Sequence, residues 1–385
     1  MKSIRLGVIG LGTMGLGHAE KIASGAVNRC ELAAVCDPTP AKFARFPNAK
    51  GFTRSDELVR SGVVDAVLIA TPHYAHTTIG IEALQHSLHV LVEKPISVHK
   101  ADGQRLVAAH QGPKQVFAAM FNQRTDPYYR KVRELIQNGE LGQVRRVNWI
   151  ITNWFRTEAY YKLGAWRATW AGEGGGVLLN QCPHNLDLFQ WFFGMPNRVR
   201  GFCGFGRYHD IEVEDDVTAY FEYTDGATAV FIASTGEAPG TNRLEIAAEN
   251  GRLVFENDVL SFTKNETPMT EFSRAATKAF AAPAAKESKF TFPDRGGQHV
   301  EVLQNFVDAI LDGKPLIAPA TEGIHSVELA NAILFSAFRN QTVDLPLDAA
   351  AYEKLLQEKF AASRFQRNAP RKPGTVADDL ADSFR

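Results

Sequence analysis

Six residues near the start of the chain, Gly10-Leu11-Gly12-Thr13-Met14-Gly15, constrain the fold more than any others. They close a short apolar run, residues 5–10 (RLGVIG), and open a helix-length segment, residues 13–24. A G-x-G-x-x-G loop in that context has a reason for each glycine. The first permits a tight turn, the second keeps a side chain away from an approaching pyrophosphate, and the third lets helix and strand pack closely. The helix start adds free N–H groups and a partial positive charge. A glycine-rich turn without a ligand would carry the same letters, but the strand-loop-helix context favours a dinucleotide.

A second run, residues 31–36 (ELAAVC), ends at Asp37-Pro38. An acidic residue about 20 positions beyond the glycines suits hydrogen bonding to the adenosine ribose hydroxyls. A carboxylate there repels the extra phosphate of NADP, and Pro38-Thr39-Pro40 supplies no arginine to hold it. NAD is therefore expected over NADP, with Lys42 able to soften the discrimination if it folds back.

Further apolar runs follow at residues 63–70, 89–92 and 115–121, ending at Thr71-Pro72, Glu93-Lys94-Pro95 and Asn122. None alternates strictly, as expected of parallel strands buried on both faces. Helix-length segments at 74–86 and 97–110 separate them. This alternation predicts βαβ units and an open parallel sheet.

The pattern changes near residue 125. Asp126-Pro127 begins a helix to Gln137 with Gly139 as its C-terminal cap. Strands then dominate: Val217, Ala219, Phe221 and Tyr223 alternate with Thr218, Tyr220 and Glu222, a half-covered antiparallel strand. Asp225-Gly226 and Asn250-Gly251 read as hairpin turns. Helices over 299–311 and 322–338 are expected to close this domain; Leu303, Phe306, Val307 and Ile310 form a core-facing stripe, ended by Gly313 and Pro315. Residues 264–289 read as a long loop, with room for a helical turn. The fold class is α/β: residues 1–124 form a doubly wound parallel Rossmann sheet, and residues 125–368 an α+β domain with a large open, mainly antiparallel sheet. Residues 369–385 form a tail, disordered or an arm on a partner.

Composition limits the partners. At 385 residues with a net charge of −1, the chain gives no electrostatic case for nucleic acid or an anionic membrane. No apolar run approaches the roughly 20 residues a spanning helix needs, and the N-terminus lacks signal-peptide features. Cys30, Cys36, Cys182 and Cys203 form no C-x-x-C pair, so no disulfide framework or zinc site is indicated. A cytoplasmic protein with reduced thiols is expected.

Ligands of open α/β sheets bind beyond the carboxyl ends of the strands. Three strand ends carry polar residues: Thr71-Pro72-His73 with His76, Glu93-Lys94-Pro95, and Asn122-Gln123-Arg124. A lysine facing the nicotinamide can stabilise a developing alkoxide; Lys94 is either that group or a surface lysine. A second cluster lies in residues 174–187 (GGGVLLNQCPHNLD). If helical, it puts Asn180, His184 and Asp187 on one face, with Pro183 distorting the helix. His184 is the natural proton acceptor or a hydrogen-bonded core histidine. HExxH spacing is absent, so no metal is expected. Residues 154–170 (WFRTEAYYKLGAWRATW) are rich in aromatics and cations. Trp154, Tyr160, Trp166 and Arg167 suit a sugar or cyclitol ring, or pack between domains.

Taken together, Gly10–Gly15, Thr71-Pro72 with His76, Glu93-Lys94-Pro95, and the Asn180/His184/Asp187 set resemble the Gfo/Idh/MocA oxidoreductases, over at least the first 195 residues. The resemblance implies Lys94 and His184 as the catalytic pair and a cis bond before Pro95. Many polyol dehydrogenases of the family carry aspartate where this chain has Asn180, which can bind a hydroxyl but cannot relay a proton.

The expected activity is reversible oxidation of a secondary alcohol on a sugar, sugar derivative or cyclitol with NAD. Gly10, Gly12, Thr13, Met14, Gly15, Asp37, Thr71, Pro72, His76, Glu93 and Lys94 are expected to face the cofactor. Asn180, Asp187, Gln123, Arg124, Trp154, Tyr160, Trp166 and Arg167 are expected to face the substrate. Two alternatives are NAD-dependent glycoside cleavage through transient oxidation and a non-catalytic sugar-sensing regulator. A homodimer or homotetramer through the second sheet is expected.

Overall fold

A computed structural model of the chain describes residues 2–164 and 166–363; the tail expected at 369–385 lies outside the described residues. The N-terminal sheet has six parallel strands: β1 (Ile4–Ile9), β2 (Cys30–Cys36), β3 (Lys50–Phe52), β4 (Ala66–Ile69), β5 (His89–Val92) and β6 (Phe117–Ala119). Their order is β3-β2-β1-β4-β5-β6, so the order reverses between β1 and β4, the crevice where such sheets bind ligands. Helices α1 (Thr13–Ala23), α2 (Ser55–Arg60), α3 (His73–Gln85) and α4 (Lys100–Ala108) connect the strands. Leu6, Val8, Val67, Leu68 and Leu91 are fully buried, which is why these strands show no alternation. Sequence reading missed β3 because this three-residue edge strand, Lys-Gly-Phe, has no buried residue.

Helix α5 (Pro127–Gln137) leads into the second domain. Asp126 caps it, accepting the Tyr128 amide at 2.9 Å, with Pro127 in the first turn. Gly139 takes the left-handed conformation just beyond its end, φ +72°. Then come β7 (Val144–Ile151), α6 (Glu158–Tyr161), α7 (Pro183–Phe193), β8 (Arg198–Phe205), β9 (Glu214–Glu222), β10 (Thr228–Ser234), β11 (Asn242–Ala248), β12 (Gly251–Glu256), β13 (Val259–Asn265), α8 (Met269–Ala275) and β14 (Ala285–Phe290). The described residues close with α9 (Gln298–Asp312), α10 (Ala320–Arg339), β15 (Val343–Asp344) and α11 (Ala349–Ala361).

Nine strands form one sheet in the order β14-β13-β12-β11-β7-β10-β9-β8-β15. Only the central β7–β10 pair is parallel. On β9 the side chains of Val217, Ala219 and Phe221 enter the core while Thr218 and Tyr220 face outward, the predicted alternation.

Two expectations fail. Residues 264–289 contain α8 and most of β14 rather than a loop. Strand β14 (AKESKF) lies at the sheet edge with five of six residues exposed; polar, lysine-bearing sequence is what such an edge needs to stay unpaired, and it hides the strand from a hydrophobic search. Helix α9 does not close the second domain. Its Val302, Leu303, Phe306 and Val307 pack with Leu6, Val8, Leu68 and Leu91 of the first sheet. The stripe was legible, but its partner was not, because a stripe does not name the sheet it covers. Helix α10 joins both cores: Ala320 and Val327 pack with the first domain, Leu329, Ile333 and Leu334 with the second. Among the described residues no helix is long and apolar enough to cross a membrane.

Candidate active site

The glycine loop sits at the β1/β4 crevice. A Cβ on Gly10, whose φ is +93°, would lie 2.6 Å from the Ala70 carbonyl oxygen, and one on Gly15 would lie 1.7 Å from the Gly10 carbonyl oxygen. Both positions exclude a side chain. Gly12 is the opposite: nothing lies within 4 Å of its Cβ direction. It forms the N-cap of α1 without a side-chain cap, leaving the first amides, with Thr13 exposed and Met14 half-buried, open to an anion. Asp37 is buried at the end of β2; its Oδ2 accepts the Leu11 amide at 3.0 Å and the Lys42 ammonium at 2.8 Å, and its Oδ1 accepts the Thr39 amide at 2.9 Å. Burial pushes this carboxyl up, but the bonds from Lys42, Thr39 and Leu11 outweigh it and keep it below the usual range. Thr71 Oγ1 is buried without a partner at the same edge. These features fit a dinucleotide.

His76 does not offer a ring nitrogen to a cofactor. Its Nδ1 faces the Pro95 carbonyl and its Nε2 the Thr71 carbonyl, both at 2.8 Å, so it ties the ends of β4 and β5 together. Glu93 is likewise committed: its Oε1 lies 2.6 Å from His18 Nε2, and its Oε2 accepts the Lys94 amide at 3.1 Å. Burial works against this carboxylate, yet His18 holds it down at about 2.

The Lys94–Pro95 peptide is cis. The Lys94 ammonium donates to the Asn180 carbonyl at 2.8 Å. Burial lowers its pKa below 10.5, with Glu93 and Glu173 opposing the shift and Arg167 adding to it. His184 is buried against Phe121, ring centroids 6.1 Å apart. Burial first, then the Lys94 charge, push its pKa well below 6.5, and its Nδ1 has no partner. The site thus pairs a half-buried ammonium with an imidazole that is neutral at pH 7.

The expected Asn180/His184/Asp187 helix face is not formed. Helix α7 starts at Pro183, in the first turn where a missing amide costs nothing, so the proline starts the helix rather than distorting it. Asn180 precedes the helix. Its Nδ2 donates to Glu173 Oε1, and its Oδ1 accepts the Tyr160 hydroxyl at 3.3 Å. Asp187 faces Arg124, not a ligand: Arg124 Nε and Nη2 reach its carboxylate at 2.7 and 2.6 Å, both residues almost fully buried. A pair that satisfies itself this completely has little left for a substrate.

The other predicted wall residues do come together. Arg167 donates to the Tyr160 hydroxyl at 3.0 Å and lies over the Trp166 and Tyr160 rings at 4.7 and 4.8 Å. Gln181 also donates to Tyr160, at 3.3 Å. Half-buried Trp154 stacks under Arg156 at 5.4 Å with its Nε1 buried and unpartnered, as is Gln123 Oε1.

Two residues, His18 and Glu173, escaped sequence reading, and His73 was named at its strand end without a role. His18 follows the glycine loop on α1 and lies 1% exposed. His73 packs edge-on against Trp166, centroids 5.6 Å apart, its Nδ1 facing the Glu173 carbonyl at 3.2 Å. Glu173 is 2% exposed, and its position between two glycines was the signal available.

Comparison with known proteins agrees with the two-domain fold. Residues 4–121 match the family described as "Oxidoreductase family, NAD-binding Rossmann fold", and residues 129–254 match the "GFO/IDH/MocA C-terminal domain". The inositol 2-dehydrogenase of Corynebacterium glutamicum is 29% identical over 198 residues, 50% of this chain and 55% of that protein; the chain thus spans about half the length of this curated relative. The myo-inositol 2-dehydrogenase of Thermotoga maritima is 23% identical over 354 residues, 89% of this chain and 98% of that protein. Among solved structures, the WlbA dehydrogenase from Bordetella pertussis, in complex with NADH and UDP-GlcNAcA, superposes with a TM-score of 0.75. It is 26% identical, over 90% of this chain and 100% of that one.

Proposed function

The chain belongs to the Gfo/Idh/MocA oxidoreductases, with their NAD-binding Rossmann domain, and from that premise we propose that it oxidises a secondary alcohol of a sugar, sugar derivative or cyclitol with NAD. The observation that carries this reading is the meeting, at one sheet edge, of the open glycine loop and a lysine held 2.8 Å from the Asn180 carbonyl. The relatives named inositol 2-dehydrogenase support the substrate class.

The backbone of Gly10–Gly15, with Asp37, Thr71 and Pro72, would hold the dinucleotide, and His76 and Glu93 keep the strand ends in place. When bound, the nicotinamide would supply the hydride acceptor. His184, uncharged at neutral pH, takes the hydroxyl proton on a ring nitrogen; a general base contributes about 10²–10⁴-fold. Lys94 donates to the developing alkoxide, a contribution of about 10²–10³-fold. Asn180, Tyr160, Trp166, Arg167, Trp154 and Gln123 form the substrate wall. Residues 1–124 serve the cofactor and 125–368 the substrate and assembly. The outward face of the second sheet, with Ile150, Phe202, Tyr220, Val230 and Ile232 only partly covered, suits a homodimer or homotetramer. Four free thiols fit a cytoplasmic setting.

The test is a panel of sugars and cyclitols with NAD, followed by NADH absorbance. Sustained NADH formation with at least one member is expected. No NADH with any member, or release of an aglycone without net NADH, overturns the reading.

A further inference from the structure

Glu173 has no part in the mechanism above, yet the chain goes to some length to bury it. Residues 172–176 read Gly-Glu-Gly-Gly-Gly. A Cβ at Gly172 would come within 2.2 Å of the Trp166 carbonyl oxygen; one at Gly174, φ +82°, within 2.1 Å of Val98 Cγ1; one at Gly176 within 1.9 Å of the Glu214 carbonyl oxygen. The segment crosses the site as bare, close-packed backbone, and Glu173 is the single side chain it presents. A carboxylate in such surroundings is costly unless bonded. Glu173 is bonded on both oxygens: Oε2 accepts the Ala168 amide at 2.6 Å and Oε1 accepts the Asn180 side-chain amide. The carbonyl of that same Asn180 holds the Lys94 ammonium.

We propose that Glu173 is a positioning residue: through the Asn180 amide it holds the Asn180 carbonyl against the Lys94 ammonium, and it sets a fixed negative charge beside that ammonium. The proposal rests on the reading of Lys94 as the group that meets the substrate hydroxyl. Glu93 cannot serve this end alone, because His18 occupies it at 2.6 Å. Several groups share the field. Glu93, Glu173, Arg167 and Cys182 act on Lys94; His73, His76, His184 and His299 feel its charge. Arg167 and Lys94 act on Glu173, whose own charge is felt by Tyr161 and Glu214. Burial raises the Glu173 carboxyl and these cations oppose it. Burial depresses Lys94, so removing Glu173 depresses it further.

The experiment measures Lys94 itself. Trace acetylation of the full chain with acetic anhydride across pH, read by peptide mass spectrometry, reports the fraction of unprotonated Lys94 with no need for turnover. In Glu173→Gln, Lys94 should titrate at lower pH and label on the order of tenfold more at a given pH below its midpoint, as a shift of about one unit requires. The alkaline limb of the pH–rate profile should move the same way. Superimposable labelling curves for wild type and Glu173→Gln overturn the proposal, whether or not the enzyme turns over the sugar panel; an inactive wild type instead overturns the dehydrogenase reading. NADH fluorescence titration confirms that each variant is folded. Should Glu173→Gln fail to fold, Glu173→Asp decides: it keeps the charge but withdraws it from Asn180, so kcat should drop, by up to about 10²-fold for a misplacement of about 1 Å, with a wild-type labelling curve. Wild-type kcat in Glu173→Asp overturns the Asn180 link.

Discussion

Two cations, one buried and one half-buried, stand at the junction of the two sheets, and they are finished differently. Arg124 is 1% exposed, and its guanidinium is closed on every side. Two nitrogens grip Asp187, the third reaches Glu322 at 2.6 Å and the Ile317 carbonyl at 3.2 Å, and the Trp191 ring lies at 5.3 Å. Lys94 has three donors and uses one, on the Asn180 carbonyl. Its nearby carboxylates are occupied elsewhere, Glu93 by His18 and Glu173 by Asn180 and Ala168. A buried charge with every nitrogen bonded holds structure together. One with open valences and fixed counter-charges at a distance is held ready for a group that arrives later.

The contrast breaks most severely at His184, on the open side. His184→Ala should lower kcat by about 10²–10⁴, while NADH binding measured by fluorescence stays near wild type. Turnover within a few-fold of wild type would remove His184 from the proton step. On the closed side, Asp187→Ala leaves the Arg124 charge buried without its main partner, a loss of about 3–5 kcal/mol of stability. Urea denaturation should show it. A midpoint unchanged by the substitution would mean that the existing bonds to Glu322 and the Ile317 carbonyl suffice to hold the Arg124 charge, and that the two cations are less distinct than their geometry indicates.

Lys94→Ala should remove about 10²–10³ from kcat without the unfolding that Asp187→Ala causes. The pH profile sharpens this. Lys94 sits below 10.5 in the folded protein and must be protonated to donate, so the alkaline limb of wild-type kcat lies below pH 10.5. His184 must be neutral to accept, and its pKa lies well below 6.5, so the acid limb falls below pH 6.5. An alkaline limb that survives in Lys94→Ala assigns it to another group.

The two cations were not equally legible in the sequence. Lys94 stood out because it follows an apolar run and precedes proline, which places it at a sheet edge whatever the rest of the chain does. Arg124 has the same kind of address, and the same reasoning put it in the substrate wall. Its actual partner, Asp187, arrives on α7 from the other domain, and sequence spacing along one element cannot report a pairing between two. The same limit hid the seat of α9 on the first sheet. The Asn180/His184/Asp187 set shows the complementary error: helical spacing was assumed across Pro183, whereas a proline that starts a helix cuts Asn180 off from the face. Backbone-driven features, the glycine loop and the parallel sheet, were readable because sterics act locally. Glu173 was readable in principle, since a charged residue with glycine on both sides has few reasons to be there.

The cofactor edge offers the mildest test of the same distinction. Asp37 resembles Arg124 in being bonded on each polar atom, but one of its partners, Lys42, is 30% exposed and comes from the following turn. Such a pair is worth about 0.2–1 kcal/mol. With Lys42 in place the Asp37 charge is partly offset, and the added phosphate of NADP meets less repulsion. Lys42→Ala should therefore raise the preference for NAD over NADP, as the ratio of kcat/KM values, by roughly 1.5- to 5-fold, the factor that this energy allows. The effect should shrink in high salt, since a partly exposed pair is screened. An unchanged ratio would mean that Lys42 turns away from Asp37 and toward solvent once the ribose hydroxyls are bound, leaving the carboxylate to discriminate alone.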